Sequence, residues 1–513
     1  MTASTDLPAT DALQPFCKIQ EPLLVALLCI LASARVFVFA AAFPFFGIVD
    51  EQEHFDLVFR YAHGDIPTGL VYFHAGAARL IILNGTVEYF HAPTEFRFGK
   101  IPAPRRKAIS DRDAAALEDA VELVKRRVNH ESTQPPLYYM LAGGWYRIGE
   151  FLGISGLSLL YWIRFLNVPI YGLIVCLAYL FLKSFYSTKP FLRIGVPLLL
   201  VVFPQDTFYS INNDVLAALV CGAAFYCLLR VCLMKSTGWG FHALTGSLVA
   251  AAVLTKLNNL PLLATLLVFV VVAAHRALRD REWRDRWSKL VVLTVSAVVP
   301  VGAWMIRNRL LSGDVFGTAQ KMQVLGWSLK PVGQMWHHPI FTFGGLWLFS
   351  SGLLTKLWRG EFVWHAAGMD SSVMDQIYFI SSFVFLAVAA AGLALKRQQE
   401  PGSERFVNGM SFLTLAVFVI YLAGISVAFD FGTCFYPSRA RPFLTSGRLL
   451  AGLLVSLLVL DLQGFSEVLH KLGVGRLRAQ FMCGLAFAVM ILAAEIWLSR
   501  DVFASQCNWN HLL

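Results

Sequence analysis

Charged residues are scarce in this sequence. Only 15% of its 513 residues are Asp, Glu, Lys or Arg, whereas a soluble globular domain carries about 25%. Hydrophobic residues make up 57% of the chain and aromatic residues 13%. This composition excludes an ordinary soluble domain and indicates a protein whose main solvent is lipid.

Three other features are missing as well: a CxxC pair, a long internal repeat and a low-complexity tract. Most of the nine cysteines lie inside apolar runs, where cysteine behaves as a small hydrophobic residue, so a zinc framework is disfavoured. A disulfide between Cys434 and Cys507 stays an open alternative, because both are predicted to lie outside the membrane. The N-terminal segment holds more acid than base and fits a cleaved signal peptide poorly, so the first apolar run is expected to remain as an anchor.

The net charge of +10 does not point to nucleic acid. The basic residues are scattered in short clusters between apolar segments, rather than along one polar face. Such clusters are typical of topology signals in membrane proteins. Five short loops carry them, at 183–193, 230–235, 275–289, 396–405 and 471–478.

Apolar runs of about 20 residues, the length that crosses a bilayer core, recur along the chain. The predicted fold class is all-α: a polytopic helical membrane protein with about 11 transmembrane helices in a single membrane domain over residues 1–513. The predicted spans are 22–46, 160–182, 194–210, 212–233, 241–257, 259–275, 290–308, 373–395, 407–428, 443–462 and 479–499.

One further segment, 135–152, decides the topology. If it does not cross the membrane, all five basic loops fall on the side of the N-terminus, which the positive-inside rule makes cytoplasmic. We therefore predict a helix in the outer interface there, and a C-terminus outside. Three regions are then predicted to be extracytoplasmic: the first loop, 47–159, the second large loop, 309–372, and the turn 430–442. The first loop is expected to contain interfacial helices and an amphipathic helix at 110–128. The second large loop is expected to contain a re-entrant or interfacial segment at 340–357.

Carboxylates and a histidine follow the first predicted span directly, at Asp50, Glu51 and His54. A carboxylate here could withdraw a proton from an acceptor hydroxyl, or hold a divalent cation beside a phosphate. The structural alternative is a hydrated helix cap with Asp50 as the N-cap residue.

Two more polar groups lie on the same predicted side. Glu131 and Gln134 stand just before the predicted interfacial helix, and they could either belong to a site or simply face water. Asn213 and Asp214 stand at the mouth of a span, where the alternative is a helix cap with an acid in the first turn.

Cations near the outer ends of spans could stabilise a departing phosphate. The candidates are Lys256, Arg307 and Arg448, and the guanidinium fork of arginine matches two phosphate oxygens at once. The alternative is snorkelling to lipid headgroups. Arg448 is the strongest candidate because it lies about a turn inside its span, where a charge at full depth costs about 2.5 to 3.5 kcal/mol.

Taken together, these motifs resemble the GT-C superfamily of polyprenyl-phosphate-sugar-dependent glycosyltransferases, and in particular its bacterial members. The resemblance covers most of the first 320 residues, with a weaker element near the C-terminus in which Ser446 and Leu449 depart from the family pattern. Its motifs are Asp50-Glu51-Gln52-Glu53-His54-Phe55, Glu131 with Gln134 to Tyr139, Arg164, Asn213-Asp214, Thr255-Lys256, Arg307-Asn308, and Ser446-Gly447-Arg448.

The resemblance implies transfer of a sugar from a polyprenyl-phosphate donor, beside membrane lipids, to a glycan, lipid or protein hydroxyl at the bacterial inner membrane. It makes Asp50 the candidate base or metal ligand and Asp214 the carboxylate that supports it. A divalent cation, Mg²⁺ or Mn²⁺, would be held by Asp50 and Asp214, and which carboxylate is the base, Glu51 included, is left open. The residues expected to bind substrate are His54, Glu131, Gln134, Asn213, Lys256, Arg307 and Arg448. The rival classes are a lipid or polysaccharide transporter or flippase, and a non-catalytic scaffold for envelope assembly.

Overall fold

The computed structural model describes residues 14–47, 50–102, 111–234, 237–279, 283–395 and 401–511. Helices dominate this part of the chain, as the apolar runs predict. The α-helices are α1 (Gln14–Ala42), α2 (Glu51–Ala62), α3 (Ala75–Asn84), α4 (Asp111–Lys125), α5 (Leu137–Phe151), α6 (Gly156–Arg164), α7 (Asn167–Phe185), α8 (Pro190–Val201), α9 (Asp214–Leu233), α10 (Trp239–Thr255), α11 (Pro261–Arg279), α12 (Trp283–Ser312), α13 (Ala319–Val324), α14 (Val332–Met335), α15 (Phe343–Arg359), α16 (Ser372–Leu395), α17 (Gly402–Ala428), α18 (Leu454–Lys471) and α19 (Leu477–Phe503).

Within the described residues, nine helical stretches are long and apolar enough to cross a membrane. They confirm the all-α fold class and show that the chain is an integral membrane protein. Several of the predicted basic loops, at 230–235, 275–289 and 396–405, include positions outside the described residues. The nine stretches are Gln20–Ala42, Gly156–Phe185, Asp214–Leu233, Leu257–Leu278, Arg284–Ser312, Ser372–Leu395, Gly402–Ala428, Gly447–Lys471 and Leu477–Phe503.

Two of the predicted spans, 194–210 and 241–257, correspond to shorter apolar helices. The first is α8, which ends at Val201 after 12 residues. Pro204 follows, and a proline disfavours helical backbone in the residue before it. The second is α10, with 17 residues. Hydropathy alone thus overestimates the length of the first helix, because it does not register where the backbone must leave the helix.

Short antiparallel strand pairs tie the loops together. Strand β1 (Val71–Tyr72) pairs with β2 (Val128–Asn129), which brings the far end of the first loop next to its beginning. Strand β4 (Val363–Trp364) forms a hairpin with β5 (Ala367–Gly368). Strand β3 (Ser328–Leu329) pairs with β6 (Phe429–Asp430).

The remaining segments of regular structure are short 3₁₀ turns, and one of them carries a residue of interest. Residues Gly447–Leu453 lie directly before α18, and Arg448 is the second residue of this turn. The other turns are Pro93–Glu95, Arg97–Gly99, Asp206–Tyr209, Leu257–Asn259, Pro339–Phe341 and Trp509–His511.

The helices of the first loop pack as the sequence pattern predicts. The apolar residues Leu117, Val121 and Val124 of α4 are all buried, which confirms an amphipathic helix at this position. Helix α5 has 15 residues, or about 22 Å, less than the ~30 Å of a hydrocarbon core. It packs against the end of α2, where Gly143 is needed because a Cβ there would lie 2.9 Å from the Ala62 backbone nitrogen.

A buried ion pair joins the first and last long helices. Arg35 Nη2 of α1 lies 2.6 Å from Glu495 Oε1 of α19, and both side chains are buried. The Tyr209 hydroxyl donates to the same Glu495 oxygen. Because neither charge is left alone in an apolar environment, the pair is best explained as part of the scaffold. Cys434 and Cys507, the open disulfide alternative, are not bonded to each other in the structure.

Candidate active site

Three carboxylates converge on the guanidinium group of Arg448. Its Nη2 donates to Asp50 Oδ2 at 2.7 Å. Its Nη1 lies 3.7 Å from Asp214 Oδ2, and its Nε lies 3.8 Å from Glu361 Oε2. The four side chains come from the start of α2, the start of α9, the loop after α15 and the turn before α18, so only the tertiary fold brings them together. We call these residues, together with His130, Glu131 and Lys256, the carboxylate–cation cluster.

A glycine allows Arg448 to reach this position. A Cβ on the preceding residue, Gly447, would lie 1.9 Å from the Leu357 backbone nitrogen, so any side chain there would push the turn away from α15. The observed close approach therefore requires glycine. Arg448 keeps 17% of its side-chain surface exposed, which leaves room for a further anionic partner.

Asp50 stands at the N-cap position of α2 but does not act as a cap. Its backbone has φ 56° and ψ 21°, in the left-handed region, and its side chain makes no capping hydrogen bond. The carboxylate points instead to Arg448 and to His130, whose Nε2 lies 3.7 Å from Asp50 Oδ1. A non-glycine residue held in the left-handed region costs of order 1 to 3 kcal/mol and is typical of functional sites. The structure therefore favours the site interpretation of Asp50 over the helix-cap alternative.

The charges around Asp50 determine its protonation. Burial opposes its ionisation, but the charge of Arg448 and then the contacts with His130 hold the pKa of Asp50 well below its usual range. Burial likewise opposes protonation of His130, but its contacts with Asp50 and Glu131 raise its pKa. At neutral pH Asp50 is thus a carboxylate, the form that can accept a proton.

Glu131 and Gln134 lie beside this group and contact each other. Gln134 donates to Glu131 Oε2, and Lys321 of α13 donates to Glu131 Oε1. Burial opposes ionisation of Glu131, but Lys321 and His130 lower its pKa. Glu131 is close to Asp50, 81 positions earlier, because Asn129 Nδ2 donates to the Glu53 carbonyl oxygen and to Asp56 Oδ2 and so holds this segment against α2.

Asp214 and Lys256 form a second, deeper pair. Asp214 is fully buried at the first turn of α9, and Lys256 donates to its Oδ1. Asp214 Oδ2 faces Arg448 but has no hydrogen-bond partner among the described residues. Asn213 does not cap α9 with its side chain; it donates to the Thr255 carbonyl oxygen at 3.1 Å and so fixes the end of α10 beside α9.

Glu51 points away from the cluster. Its Oε1 accepts from Arg164 Nη2 at 2.7 Å and from the Ile211 backbone N–H at 2.8 Å, and its Oε2 accepts from the Phe46 N–H at 2.9 Å. Glu51 and Arg164 are both about 1% exposed. With both oxygens bound inside the scaffold, Glu51 presents no accessible oxygen to a substrate in this conformation.

The two remaining predicted residues, His54 and Arg307, make their hydrogen bonds with residues outside the cluster. His54 is buried, with its Nδ1 2.7 Å from the Tyr139 hydroxyl. Burial is the main reason why its pKa falls to about 4, although Glu131 and Asp50 act in the opposite direction. Arg307 donates to the Pro67 carbonyl oxygen at 2.8 Å and thereby holds the first loop against the end of α12.

The structure adds residues that motif reasoning missed, above all Glu361 and Lys356. Lys356 Nζ lies 3.0 Å from Glu361 Oε1, and the Ser446 hydroxyl donates to Glu361 Oε2. Asp206 positions this segment, because its Oδ2 accepts the backbone N–H groups of Glu361 and Phe362 at 2.7 and 2.6 Å. The only signal in the sequence for Glu361 and Lys356 was their location in the second large loop. His130 directly precedes Glu131 in the sequence and was not among the predicted site residues.

A divalent cation fits one part of the cluster. Asp50, His130 and Glu131 each offer one ligand atom, and the three atoms lie within 4.8 Å of one another. Two carboxylate oxygens and one imidazole nitrogen suit Mn²⁺ better than Mg²⁺, which prefers oxygen. The cation would share these carboxylates with Arg448 and Lys321. Asp214, the other residue expected from the sequence, is bound by Lys256 and lies outside this group of three.

The fold and the cluster define an integral membrane protein with a polar, charge-rich site at the ends of its membrane-spanning helices. This chain belongs to the family described as "Predicted membrane protein (DUF2142)", which matches residues 35–434. Among curated proteins, no sequence matches the chain.

Solved structures with a similar helix arrangement include two kinds of enzyme. One is ArnT from Cupriavidus metallidurans bound to undecaprenyl phosphate, with 12% identity over 97% of this chain and 75% of that chain and a TM-score of 0.45. Another is the oligosaccharyltransferase AglB from Archaeoglobus fulgidus in complex with an inhibitory peptide and a dolichol-phosphate, with 14% identity over 96% of this chain and 56% of that chain and a TM-score of 0.41.

A second Archaeoglobus fulgidus oligosaccharyltransferase structure, in complex with Zn and sulfate, has 13% identity over 94% of this chain and 53% of that chain and a TM-score of 0.39. The chain therefore spans about half the length of the archaeal enzyme. TM-scores below 0.5 describe a loose likeness of helix arrangement.

Proposed function

We propose that this protein is a glycosyltransferase that moves a sugar from a polyprenyl-phosphate donor to a hydroxyl group of a glycan, lipid or protein acceptor. The observation that carries the proposal is the contact of Arg448 with Asp50, beside Asp214 and Lys256. It combines an ionised carboxylate with one buried cation, Lys256, and one partly exposed cation, Arg448. The acceptor hydroxyl needs a carboxylate that takes its proton, and the departing phosphate needs cations that stabilise its charge.

The reaction we propose is a single displacement. Asp50 accepts the proton of the acceptor hydroxyl while that oxygen bonds to the anomeric carbon of the sugar. The bond from that carbon to the phosphate oxygen breaks at the same time, and its electron pair leaves with the polyprenyl phosphate. Arg448 and Lys256 stabilise the negative charge that develops on this oxygen.

The contact between Arg448 and Asp50 gives this scheme an order. A carboxylate held by a guanidinium is a weak base, because the positive charge favours its ionised form. A donor phosphate competes with Asp50 for the same guanidinium, and Arg448 has other carboxylates, Asp214 and Glu361, within 4 Å to keep it in place. Donor binding therefore loosens Asp50 and strengthens it as a base.

The other predicted residues receive supporting roles in this proposal. Asp214 holds Lys256, Asn213 fixes the helix end beside it, and Glu51 with Arg164 keeps the start of α2 in place. We place the expected divalent cation at Asp50, His130 and Glu131; when bound there, a cation would neutralise phosphate charge.

We also propose that the cluster faces the extracytoplasmic side of a bacterial inner membrane and that the N-terminus lies in the cytoplasm. Two exposed positions test this orientation, Asp119 in the first loop and Ser187 in a basic loop. A membrane-impermeant maleimide applied to intact spheroplasts should label an Asp119→Cys variant and not a Ser187→Cys variant, with the wild type correcting for native thiols. The opposite pattern would place the cluster in the cytoplasm.

Purified protein in lipid nanodiscs tests the reaction. Polyprenyl-phosphate sugars are supplied with candidate acceptors, and the released polyprenyl phosphate is measured. Asp50→Asn keeps the shape of the side chain but removes the base, so turnover should fall by about 10² to 10⁴-fold. Asp65→Asn is the matched control, since Asp65 is an exposed partner of Arg60 away from the cluster. Equal turnover in the Asp50→Asn variant and the wild type would reject Asp50 as the base, and no turnover with any donor would reject the proposed reaction.

A further inference from the structure

Helix α15 begins with an exposed apolar half. Phe343, Leu346, Trp347 and Leu348 are 85%, 53%, 50% and 59% exposed, and no residue from 343 to 349 has a charged or amide side chain. The second half of the helix, from residue 350 onward, is packed into the protein. A helix half that is apolar around its whole circumference is not stable in water and needs an apolar surrounding.

Ring contacts fix the direction of α15 relative to the membrane-spanning helix α16. The Trp347 ring lies 4.8 Å from Phe379, and the Trp358 ring stacks 5.5 Å from Tyr378. The two tryptophans are separated by about 16 Å along α15 at ~1.5 Å per residue, yet they contact neighbouring residues of α16. Helix α15 therefore crosses α16 at a steep angle, and because α16 is long and apolar enough to span a membrane, α15 is inclined toward the membrane plane.

The same contacts give the depth of α15. Phe379 lies about 10 Å along α16 from its first residue, Ser372, at ~1.5 Å per residue. Helix α16 has 24 residues, or about 36 Å, so it exceeds a ~30 Å hydrocarbon core by about 3 Å at each end. For an α16 that is centred in the core and untilted, Trp347 lies roughly 7 Å inside the hydrocarbon boundary.

We propose that residues 343–349 are inserted into the hydrocarbon region of one bilayer leaflet, where acyl chains of membrane lipids cover them. The exposed surface of α16 supports this occupant. Val373, Ile380 and Phe383 of this membrane-spanning helix are 64%, 54% and 52% exposed, and they continue the apolar face of α15 onto a surface that lipid must cover.

The buried end of α15 connects this lipid-facing surface to the cluster. Lys356 lies in the last turn of the helix, about 14 Å along the axis from Trp347, and its Nζ contacts Glu361. A lipid phosphate bound at Lys356 would lie beside Glu361 of the cluster while its hydrocarbon chain stays in the bilayer along α15. This consequence depends on the proposed function, but the insertion of α15 does not.

Photo-crosslinking to lipid tests the insertion. p-Benzoylphenylalanine is placed separately at Leu346 of α15, at Ile380 of α16 and at Leu123 of α4 in the full-length protein. These sites are 53%, 54% and 67% exposed, so differences in yield report on the surroundings rather than on exposure. Each protein is reconstituted into phosphatidylcholine nanodiscs and irradiated, and lipid adducts are quantified by mass spectrometry of the peptides.

The adduct yield at Leu346 should be close to that at Ile380 and at least about tenfold above that at Leu123, because only the first two sites meet acyl chains. A yield at Leu346 as low as that at Leu123 would overturn the proposal, and so would a crosslink from Leu346 to a second protein chain. The measurement needs no sugar donor, so its failure would leave the proposed reaction untouched. Loss of turnover would equally leave the insertion untouched.

Discussion

Asp50 and Glu51 are neighbours in the chain but are bound by different arginines. Arg448 donates to Asp50, and Arg164 donates to Glu51. Asp50 has a left-handed backbone conformation and Glu51 begins α2, so the two side chains leave the backbone in different directions. One carboxylate of the pair faces the partly open cluster, while the other is enclosed in the scaffold.

Arg448→Lys tests whether the guanidinium fork is needed. Lysine keeps the positive charge but cannot reach several acids at once from one planar group. A hydrogen bond to a charged group contributes about 1.5 to 3 kcal/mol, so turnover should fall by about 10- to 100-fold. Arg439→Lys is the control, because Arg439 is 73% exposed and pairs with Asp430 away from the cluster. Similar turnover in the two variants would show that charge alone is sufficient at position 448.

Glu51→Gln tests the scaffold role of the second carboxylate. Arg164 would keep its buried charge without a counter-ion, and breaking a buried pair in this way costs about 3 to 5 kcal/mol. We expect a clear fall in the melting temperature of the detergent-solubilised protein. Glu150→Gln removes an acid from a more exposed pair with Arg147 and should cost about 1 kcal/mol or less. Stability unchanged by Glu51→Gln, with turnover lost, would move Glu51 back into the catalytic group.

Glu361→Gln tests the residue that the motifs did not reveal. The amide can still accept the Ser446 hydroxyl, but it no longer offers Arg448 a negative charge. Arg448 should then bind Asp50 more tightly, which makes Asp50 a weaker base and lowers turnover by about tenfold. The control is Asp370→Asn, an acid of the same loop at 3.9 Å from Arg359. An increase in turnover on Glu361→Gln would refute this role.

Sequence reasoning anticipated the membrane fold and much of the cluster. Asp50, Asp214, Lys256 and Arg448 were each predicted from local features, a polar residue at a helix start or a charge near a span end, and the structure brings all four together. Charges that are costly to bury are visible in a sequence because an apolar context makes them unusual.

Contacts between distant segments were not accessible in the same way. Glu361 reaches Arg448 because Asp206 binds the backbone of Glu361. The spacing of these residues in the sequence does not predict that contact. The direction of Glu51 was equally hidden, since it depends on Arg164 lying 113 positions later. Helix ends were also uncertain, as Pro204 shows after α8, because hydropathy does not report backbone hydrogen bonding.

A pH-dependent stability follows from His54. Its pKa falls from 6.5 to about 4, mainly because burial disfavours the charged ring. Below about pH 6.5 the unfolded chain takes up a proton at this residue, while the folded protein resists protonation until about pH 4, so the native state loses stability as the pH falls through this range. At about 1.4 kcal/mol per pKa unit, the full effect on the free energy of unfolding is up to about 3 kcal/mol.

The variant His54→Gln tests this effect, because glutamine keeps a polar partner for Tyr139 but cannot titrate. The wild-type melting temperature should therefore fall more steeply than that of the variant between about pH 6.5 and about pH 4. Parallel curves for the two proteins would show that His54 is not the group responsible.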